Sequence, residues 1–134
     1  MIALDTNVLL RYIVRDDARQ AAAATKLIES SCRPESPGVI ALVVMCELVW
    51  VLESGYRYRR EQVAGILRKV LGSQDLRVER SDLAWQALNR YETGPADYAD
   101  YVIGLCGKEE KAESTWTFDR RAAGSPLFKV LSAV

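Results

Sequence analysis

The sequence predicts an α/β fold, a sandwich in which a parallel sheet lies between two layers of helices. Two observations predict this class. Short apolar, β-prone runs alternate with longer segments of helical periodicity. The 134 residues also contain no internal repeat, low-complexity tract or long linker, so we expect one domain over residues 1–134. Strands that alternate with helices pair in parallel through right-handed crossovers, which place helices on both faces of the sheet.

Short apolar runs are predicted to be the strands. The first, "IAL", opens the chain, and the loop sequence "RPESPG" leads into the second. The fourth is "STWTF" and the last is "LFKVLS". The predicted strands cover residues 2–4, 39–40, 76–78, 114–118 and 127–132.

The segments between these strands have the spacing of apolar residues that is typical of helices. Asp16 or Asp17 is a suitable N-cap for the Ala-rich second helix, and Gly72 ends the fourth. On the sixth, Gly104 and Gly107 would let the helix lie close against the sheet. The predicted helices cover about residues 7–14, 17–29, 43–53, 59–72, 81–91 and 97–112.

The composition is that of an ordinary globular protein, and it excludes several chemistries. Apolar residues make up 49% and charged residues 27% of the chain, and 18 basic side chains balance 18 acidic ones. A protein that coats nucleic acid by charge alone would be markedly basic, so any such contact must be local. The chain has no histidine, which removes histidine acid–base catalysis and the commonest zinc ligand. Catalysis must therefore depend on carboxylates.

The same features predict a cytoplasmic protein. We expect no secretory signal, and the apolar stretch "VIALVVMCELVWVL" is too short at 14 residues to span a bilayer. The three cysteines, Cys32, Cys46 and Cys106, lie far apart and lack the spacing of metal ligands. We expect them to be reduced thiols that serve only in packing.

Acidic residues follow the ends of predicted strands. Asp5 comes directly after the first strand, and Asp119 comes directly after "STWTF". Asp97 and Asp100 lie three residues apart, on one face at the start of the sixth helix. Because ligands of open parallel sheets bind beyond the carboxyl ends of the strands, we expect these acids to meet at one edge of the sheet.

Glu47 is the most informative of the acids. It is the only ionisable residue between Val39 and Leu52, in a helix that is apolar on nearly every side. We expect its carboxylate to be buried, and an isolated buried carboxylate must be neutralised, paired or bound to a cation. The alternative is a glutamate that reaches a surface Arg or Lys along the edge of the helix.

The other acids also have a purely structural interpretation. Asp5, Asp97 and Asp119 are suitable caps for the helix or turn that follows each, and Asp100 suits the first turn of a helix. Capping does not explain why Glu47 lies in an apolar helix, nor why several acids are expected at one edge of the sheet. Like charges that lie close together repel each other unless a cation binds between them. Carboxylates without His or Cys ligands favour Mg²⁺ or Mn²⁺, and such an ion can activate water for hydrolysis of a phosphate ester.

Four segments together resemble PIN-domain ribonucleases of the VapC toxin type: "ALDTNVLLRYIVRDD", "VVMCELVWVLESGY", "DYADYVIG" and "TWTFDRRAA". They stand in the family's order and spacing and cover essentially the whole chain. The resemblance implies a PIN-like three-layer α/β/α sandwich with a central five-stranded parallel sheet, and a homodimer. It implies an endonuclease that cleaves RNA with Mg²⁺ or Mn²⁺, as the toxin of a toxin–antitoxin pair. The antitoxin partner would lay a segment along a groove between the helices and block the acidic pocket.

The resemblance also assigns roles to individual residues. The catalytic, metal-binding acids that it implies are Asp5, Glu47, Asp100 and Asp119, with Asp97 as an additional metal-binding acid. The supporting polar positions that it implies are Thr6, Asn7 and Thr117. One departure is Ala41, since many relatives place a small hydroxyl residue near the start of the helix that carries Glu47. That helix is therefore expected to be poorly capped, while every metal ligand is present.

The sequence gives less support for the residues that would contact RNA than for the metal-binding acids. We expect Arg11, Arg120 and Arg121 to contact phosphates, the last two because they adjoin the final acid. Tyr56 and Trp116 offer rings for base stacking. For "YRYRR", which contains Tyr56, the favoured alternative is a solvated face with half-buried rings.

Other functional classes fit the sequence less well. A phosphatase of the haloacid dehalogenase type needs a second Asp two residues after Asp5, where this chain has Asn7. A receiver domain needs an Asp after a middle strand, but the strand at 76–78 runs into Glu79. Neither GxGxxG nor GxxxxGK[ST] is present. The remaining alternative to a ribonuclease is a non-catalytic PIN-like module that binds RNA or protein, which would be favoured if one of the four acids were missing.

Overall fold

Helices and short parallel strands alternate over residues 1–133, the part of the chain that the computed structural model describes. These residues form two units, the first ending at Ser81 and the second beginning at Asp82. The α/β class predicted from the sequence is observed. The helices are α1 (Thr6–Val14), α2 (Ala18–Ser31), α3 (Leu42–Ser54), α4 (Arg60–Gly72), α5 (Ser81–Thr93) and α6 (Tyr98–Glu109). The strands are β1 (Gly38–Ile40), β2 (Leu76–Val78), β3 (Thr115–Thr117) and β4 (Phe128–Val130).

In the first unit, strands β1 and β2 are parallel neighbours, with Gly38 opposite Leu76. The opening segment lies along the other side of β1: the Leu4 N–H donates to the Val39 carbonyl at 2.9 Å, and the Val39 N–H donates to the Ile2 carbonyl at 2.8 Å. The predicted first strand is therefore present only as a bridge at Ala3. Asp5 follows this opening segment, at the same end as the connection from β1 to α3.

The core of the first unit is built from the apolar faces of its helices. Leu9 on α1, Leu48 on α3 and Leu67 on α4 are fully buried. Asp17, one of the two predicted caps, begins α2 by accepting the Gln20 N–H at 3.0 Å.

The second unit pairs β3 with β4 in parallel, with Thr117 opposite Val130, and a short 3₁₀ helix (Ala122–Gly124) connects them. Helices α5 and α6 pack through Tyr91 and Tyr98, whose rings meet edge to face with centroids 6.0 Å apart. The Tyr98 hydroxyl donates to the Ala84 carbonyl at 3.0 Å, so its polar end is satisfied inside the core.

Gly104 and Gly107 allow α6 to approach β3 and β4 closely, as predicted. A Cβ atom at Gly104 would lie 2.8 Å from Phe128 and 3.0 Å from Leu127, and one at Gly107 would lie 2.6 Å from the Thr115 hydroxyl. These distances are shorter than real Cβ atoms tolerate. Close packing at this helix keeps its N-terminus beside the end of β3.

The structure bears on three predictions made from the sequence: the five-stranded sheet, the packing role of the cysteines and the membrane-spanning length of the helices. The observed pairings are β1 with β2 and β3 with β4, so a five-stranded sheet is not shown for the described residues. The three cysteines form no disulfide within residues 1–133; Cys32 is buried and Cys46 is half-buried, and the prediction that Cys106 serves in packing is wrong because its side chain is exposed. Within residues 1–133, no helix has the length and apolar composition needed to cross a membrane.

We expect Gly104→Ala to lower the free energy of unfolding by about 1–3 kcal/mol, because the added methyl group must displace Phe128 and Leu127. Gly65→Ala on α4 is the matched control, since no atom lies within 4 Å of a Cβ there. That change should raise the free energy of unfolding by about 0.5–1 kcal/mol through helix propensity. Denaturant unfolding of both variants measures the difference, and equal effects would contradict the close approach.

Candidate metal centre

Asp5 begins α1 as its N-cap. Its Oδ1 atom accepts the Thr6 N–H at 2.8 Å, and the rest of the carboxylate is exposed at the end of the opening segment. The capping role proposed as the structural interpretation is thus observed. An N-cap carboxylate uses only part of its acceptor capacity, so capping and metal binding are compatible at this residue.

Thr6 connects α1 to the acid on α3. The Thr6 side chain is buried, and its hydroxyl donates to Oε1 of Glu47 at 2.8 Å. The prediction that Glu47 is buried is wrong, because its side chain is exposed on the face of α3 that also carries Val43 and Trp50. The apolar neighbours of Glu47 in sequence are therefore not all core residues, and its carboxylate is held by one hydroxyl while it stays open to solvent.

The start of α3 is capped from another element. Ala41 provides no side-chain cap, as predicted from the departure at this position. The Leu42 N–H instead donates to Oε1 of Glu79 at 2.9 Å, just after β2. The expectation of a poorly capped helix is therefore wrong, because a carboxylate distant in sequence supplies the missing acceptor.

Asp97 and Asp100 lie at the N-terminus of α6. Asp97 is the N-cap residue, and its backbone N–H donates to Oδ2 of Asp100 at 3.3 Å. Asp97 is exposed, whereas Asp100 is half-buried in the first turn. Carboxylates in this position interact favourably with the helix dipole, which helps to hold two negative charges at one helix end.

Asp119 lies just after β3 and is held by the chain around it. Its N–H donates to the Thr117 hydroxyl at 3.0 Å, so Thr117 positions the turn. Its Oδ1 atom accepts the Arg121 N–H at 2.8 Å, and its Oδ2 atom lies 3.2 Å from Arg121 Nη2. The same Nη2 atom lies 3.6 Å from Oδ2 of Asp97, which places the acids of α6 and β3 around one guanidinium.

The pKa shifts of Asp100 and Asp119 agree with the short distances between the charged groups of the second unit. Burial raises the pKa of Asp100, and the negative charges of Asp97 and Asp119 raise it further, while Arg121 opposes the rise. Hydrogen bonds from Arg121 lower the pKa of the half-buried Asp119 carboxyl. The second unit therefore contains one half-buried acid whose pKa is raised and another whose pKa is lowered.

The structure brings the predicted acids together as two groups. Asp5 and Glu47 are joined through Thr6 in the first unit. In the second unit, Arg121 pairs with Asp97 and Asp119, and Asp100 accepts the Asp97 N–H. Across residues 1–133, no three Cys, Asp or Glu side chains lie close enough to hold a metal ion.

Comparison with known proteins identifies the family. The PIN domain model matches residues 2–124 of the chain. This protein belongs to the PIN-domain family. It is 26% identical over 121 residues to a VapC ribonuclease of Aquifex aeolicus (strain VF5), an alignment that covers 90% of this chain and 89% of the relative. The resemblance drawn from the four sequence segments is confirmed.

The structure also places the other residues of this PIN domain that were predicted to contact RNA or to support the acids. Arg11 pairs with Asp16 at 2.8 Å and also donates to Gln20 and Tyr56, so its guanidinium is engaged within the first unit. Arg120 is exposed. Asn7 is exposed in the first turn of α1, and its supporting role stays a prediction.

Two functional contacts were missed from the sequence. Arg121 was assigned to RNA, but it pairs with Asp97 and Asp119. The spacing of two residues between Asp119 and Arg121 is the signal that indicates the local pair. No sequence signal connects Glu79 with the start of α3, because that contact depends on the pairing of β1 with β2.

We expect Thr6→Val to lower the free energy of unfolding in chelator by about 1 kcal/mol, because it removes the donor to Glu47 without changing the side-chain shape. Glu47→Gln is the matched variant, since its amide oxygen still accepts from the Thr6 hydroxyl, and its loss should be clearly smaller. Denaturant unfolding measures both values. A Thr6→Val variant as stable as the original chain would show that this hydrogen bond does not order the first group of acids.

Proposed function

We propose that this PIN domain is a metal-dependent ribonuclease, acting as an endonuclease and as the toxin of a toxin–antitoxin pair. The observation that carries the proposal is the match of the PIN domain model to residues 2–124. The pairing of Asp97 and Asp119 with one guanidinium, at the start of α6 and the end of β3, agrees with it. Similarity to a VapC ribonuclease supports RNA as the substrate. The five-stranded, three-layer sandwich implied by the resemblance belongs to the same proposal, as does a cytoplasmic location.

The donor set fits a hard divalent cation. All the acids of both groups offer carboxylate oxygens, which Mg²⁺ and Mn²⁺ prefer, and no histidine competes for a softer metal. Arg121 forms ion pairs with Asp97 and Asp119, so this end of the second unit accommodates a positive charge. We propose Asp5, Glu47, Asp97, Asp100 and Asp119 as the metal-binding acids, as the resemblance implies. When bound, the ion would polarise water and offset negative charge on phosphoryl oxygens.

Individual residues of this chain would have different roles in hydrolysis. Burial and the neighbouring charges raise the pKa of Asp100, and we assign it to take the proton of the attacking water. Asp119 stays ionised beside Arg121 and supplies charge only. Thr6 and Thr117 hold Glu47 and the Asp119 turn in place. Arg120 and Arg11 would contact RNA phosphates.

A cleft in the first unit suits the antitoxin. It has a volume of about 420 Å³ and lies between α1, α4 and β2, with mainly apolar side chains such as Leu9, Ile66 and Leu76 along its walls. Lys69 and Asp75 are charged residues that also line this cleft. An amphipathic helix or extended segment with a few apolar anchors fits such a groove, and we propose that the antitoxin supplies it.

A homodimer also fits the exposed apolar surface. Val43 and Trp50 are 64% and 70% exposed on α3, the helix that carries Glu47. Large apolar side chains grouped on one helix face commonly mark a protein interface. We propose a second copy of this chain as the partner there.

We expect purified protein to cut a mixed pool of structured RNAs with Mg²⁺ or Mn²⁺ and not with chelator, and to leave 5′-phosphate and 3′-hydroxyl ends. Asp100→Asn should abolish these cuts, because the amide neither accepts the proton nor supplies the charge. The same variant should melt at a higher temperature than the original chain in chelator, because it removes a half-buried charge next to Asp97 and Asp119. Sequencing of the cut ends measures the first result and thermal unfolding measures the second.

Glu113→Gln is the matched control, because it removes an exposed acid of the second unit and should keep full activity. Full activity in the Asp100→Asn variant would refute the site assignment. Cleavage in chelator would refute metal dependence. RNA binding without cleavage by the original chain, with Mn²⁺ bound, would favour the alternative of a non-catalytic binding module.

A further inference from the structure

The two faces of the β3–β4 strand pair have different surroundings. Thr115 and Phe128 are opposite each other in the register, and both face α6, where two glycines allow close packing. Trp116 and Lys129, the next pair in the register, lie on the other face. Helices normally cover both faces of parallel strands, but the Trp116 side chain is 60% exposed here. This second face is therefore accessible to a partner.

Large side chains continue along the accessible face. Phe118 lies two residues after Trp116 and is 67% exposed, so both rings have a free surface for stacking. Leu131 lies two residues after Lys129 and is also exposed. The Leu131 N–H donates to the Thr117 carbonyl at 2.7 Å, so the pairing of the two strands extends to this point. We call Trp116, Phe118, Lys129 and Leu131 the open face.

Lys129 places a positive charge among these apolar side chains. Its Nζ atom lies 5.9 Å from the centroid of the Trp116 ring, within the range of a cation–π contact. Lysine is depleted at the centres of protein interfaces, whereas aromatic rings combined with basic side chains are typical of surfaces that bind single-stranded nucleic acid. The chemistry of the open face therefore favours an RNA strand over a second copy of this chain.

The open face leads directly to residues of the proposed ribonuclease site. Phe118 immediately precedes Asp119, one of the proposed metal-binding acids, and the exposed Arg120 follows. An RNA strand with a phosphate at Asp119 and Arg120 would thus meet the Phe118 ring at the next position of the protein chain. Bases inside a duplex are stacked on each other and cannot lie flat on a protein ring, so only unpaired nucleotides fit this surface.

We infer that the open face is a base-stacking site: Trp116 and Phe118 stack on unpaired bases beside the cleaved bond, and Lys129 binds an adjacent phosphate. The inference rests on the proposed ribonuclease function and adds to it the residues that hold the flanking nucleotides. Leu131 extends the apolar surface under the bases, while stacking leaves their identity largely unread.

Binding of a short labelled RNA in chelator tests the site while cleavage is prevented. Fluorescence anisotropy compares an unpaired strand with the same strand annealed to its complement. Trp116→Leu and Phe118→Leu should each weaken binding of the unpaired strand by about five- to a hundredfold, the factor expected for loss of one stacked base. Trp116→Phe keeps a ring and should bind within about threefold of the original chain.

The dependence of binding on salt separates the phosphate contact from stacking. Lys129→Gln should lower the slope of log affinity against log salt concentration by about 0.7, the value for one phosphate contact on a single strand. Trp116→Leu should leave that slope unchanged. Lys108→Gln is the matched control, because it removes the same charge from an exposed position on α6, the helix that covers the other face.

Tryptophan fluorescence reports direct contact between a base and the ring. A base stacked on Trp116 should quench its emission, so the unpaired strand should quench the fluorescence of the original chain. The Trp116→Phe variant should still bind but show much weaker quenching, because only Trp50 and Trp85 remain. Equal quenching in the two proteins would contradict stacking on Trp116.

Several outcomes would overturn the inference and leave the ribonuclease proposal standing. They are metal-dependent cleavage by an original chain that binds paired and unpaired strands equally, or that loses no affinity in either leucine variant. A Trp116→Leu variant with altered sedimentation and unchanged RNA affinity would instead assign the open face to a protein partner. Conversely, ring-dependent binding of unpaired RNA without cleavage in Mg²⁺ or Mn²⁺ would support the stacking contacts and refute the proposed activity.

Discussion

Neighbouring carboxylates repel unless a positive charge, a proton or hydrogen-bond donors offset their charge, and in the second unit of the protein a guanidinium does this for two of them. The fold places two aspartates at the N-terminus of α6 and a third at the end of β3. Gly104 and Gly107 make the approach of that helix possible, because neither position has room for a side chain. Packing therefore brings the start of α6 near the end of β3, and Arg121 offsets part of the negative charge there by pairing with Asp97 and Asp119.

The first unit holds its acids in a different way. Asp5 caps α1 and Thr6 donates to Glu47, so a single turn of helix fixes both carboxylates through one backbone and one side-chain hydrogen bond. These bonds leave most carboxylate lone pairs facing solvent. Structural and metal-binding roles are therefore compatible at the same residues: capping fixes an acid in place, and its remaining oxygens stay available to a ligand.

Much of the fold was predictable because its helix signals are local. Asp17 and Asp97 begin their helices by capping, and the close approach at Gly104 follows from the absence of a side chain. The exposure of Glu47 was not predictable, because sequence alone cannot distinguish an apolar residue in the core from one such as Trp50 that faces solvent. The pairing of Arg121 with Asp97 was also not predictable, because these residues are distant in sequence and the charge of an arginine suits a phosphate and a carboxylate equally well.

The central proposal is that this PIN domain binds a divalent ion through its acids, and the most direct measurement is an anomalous difference map from a crystal of the whole chain grown with Mn²⁺. The account predicts a peak about 2.1 Å from oxygens of Asp100 and Asp119. Manganese peaks only at surface carboxylates other than the proposed acids would contradict it.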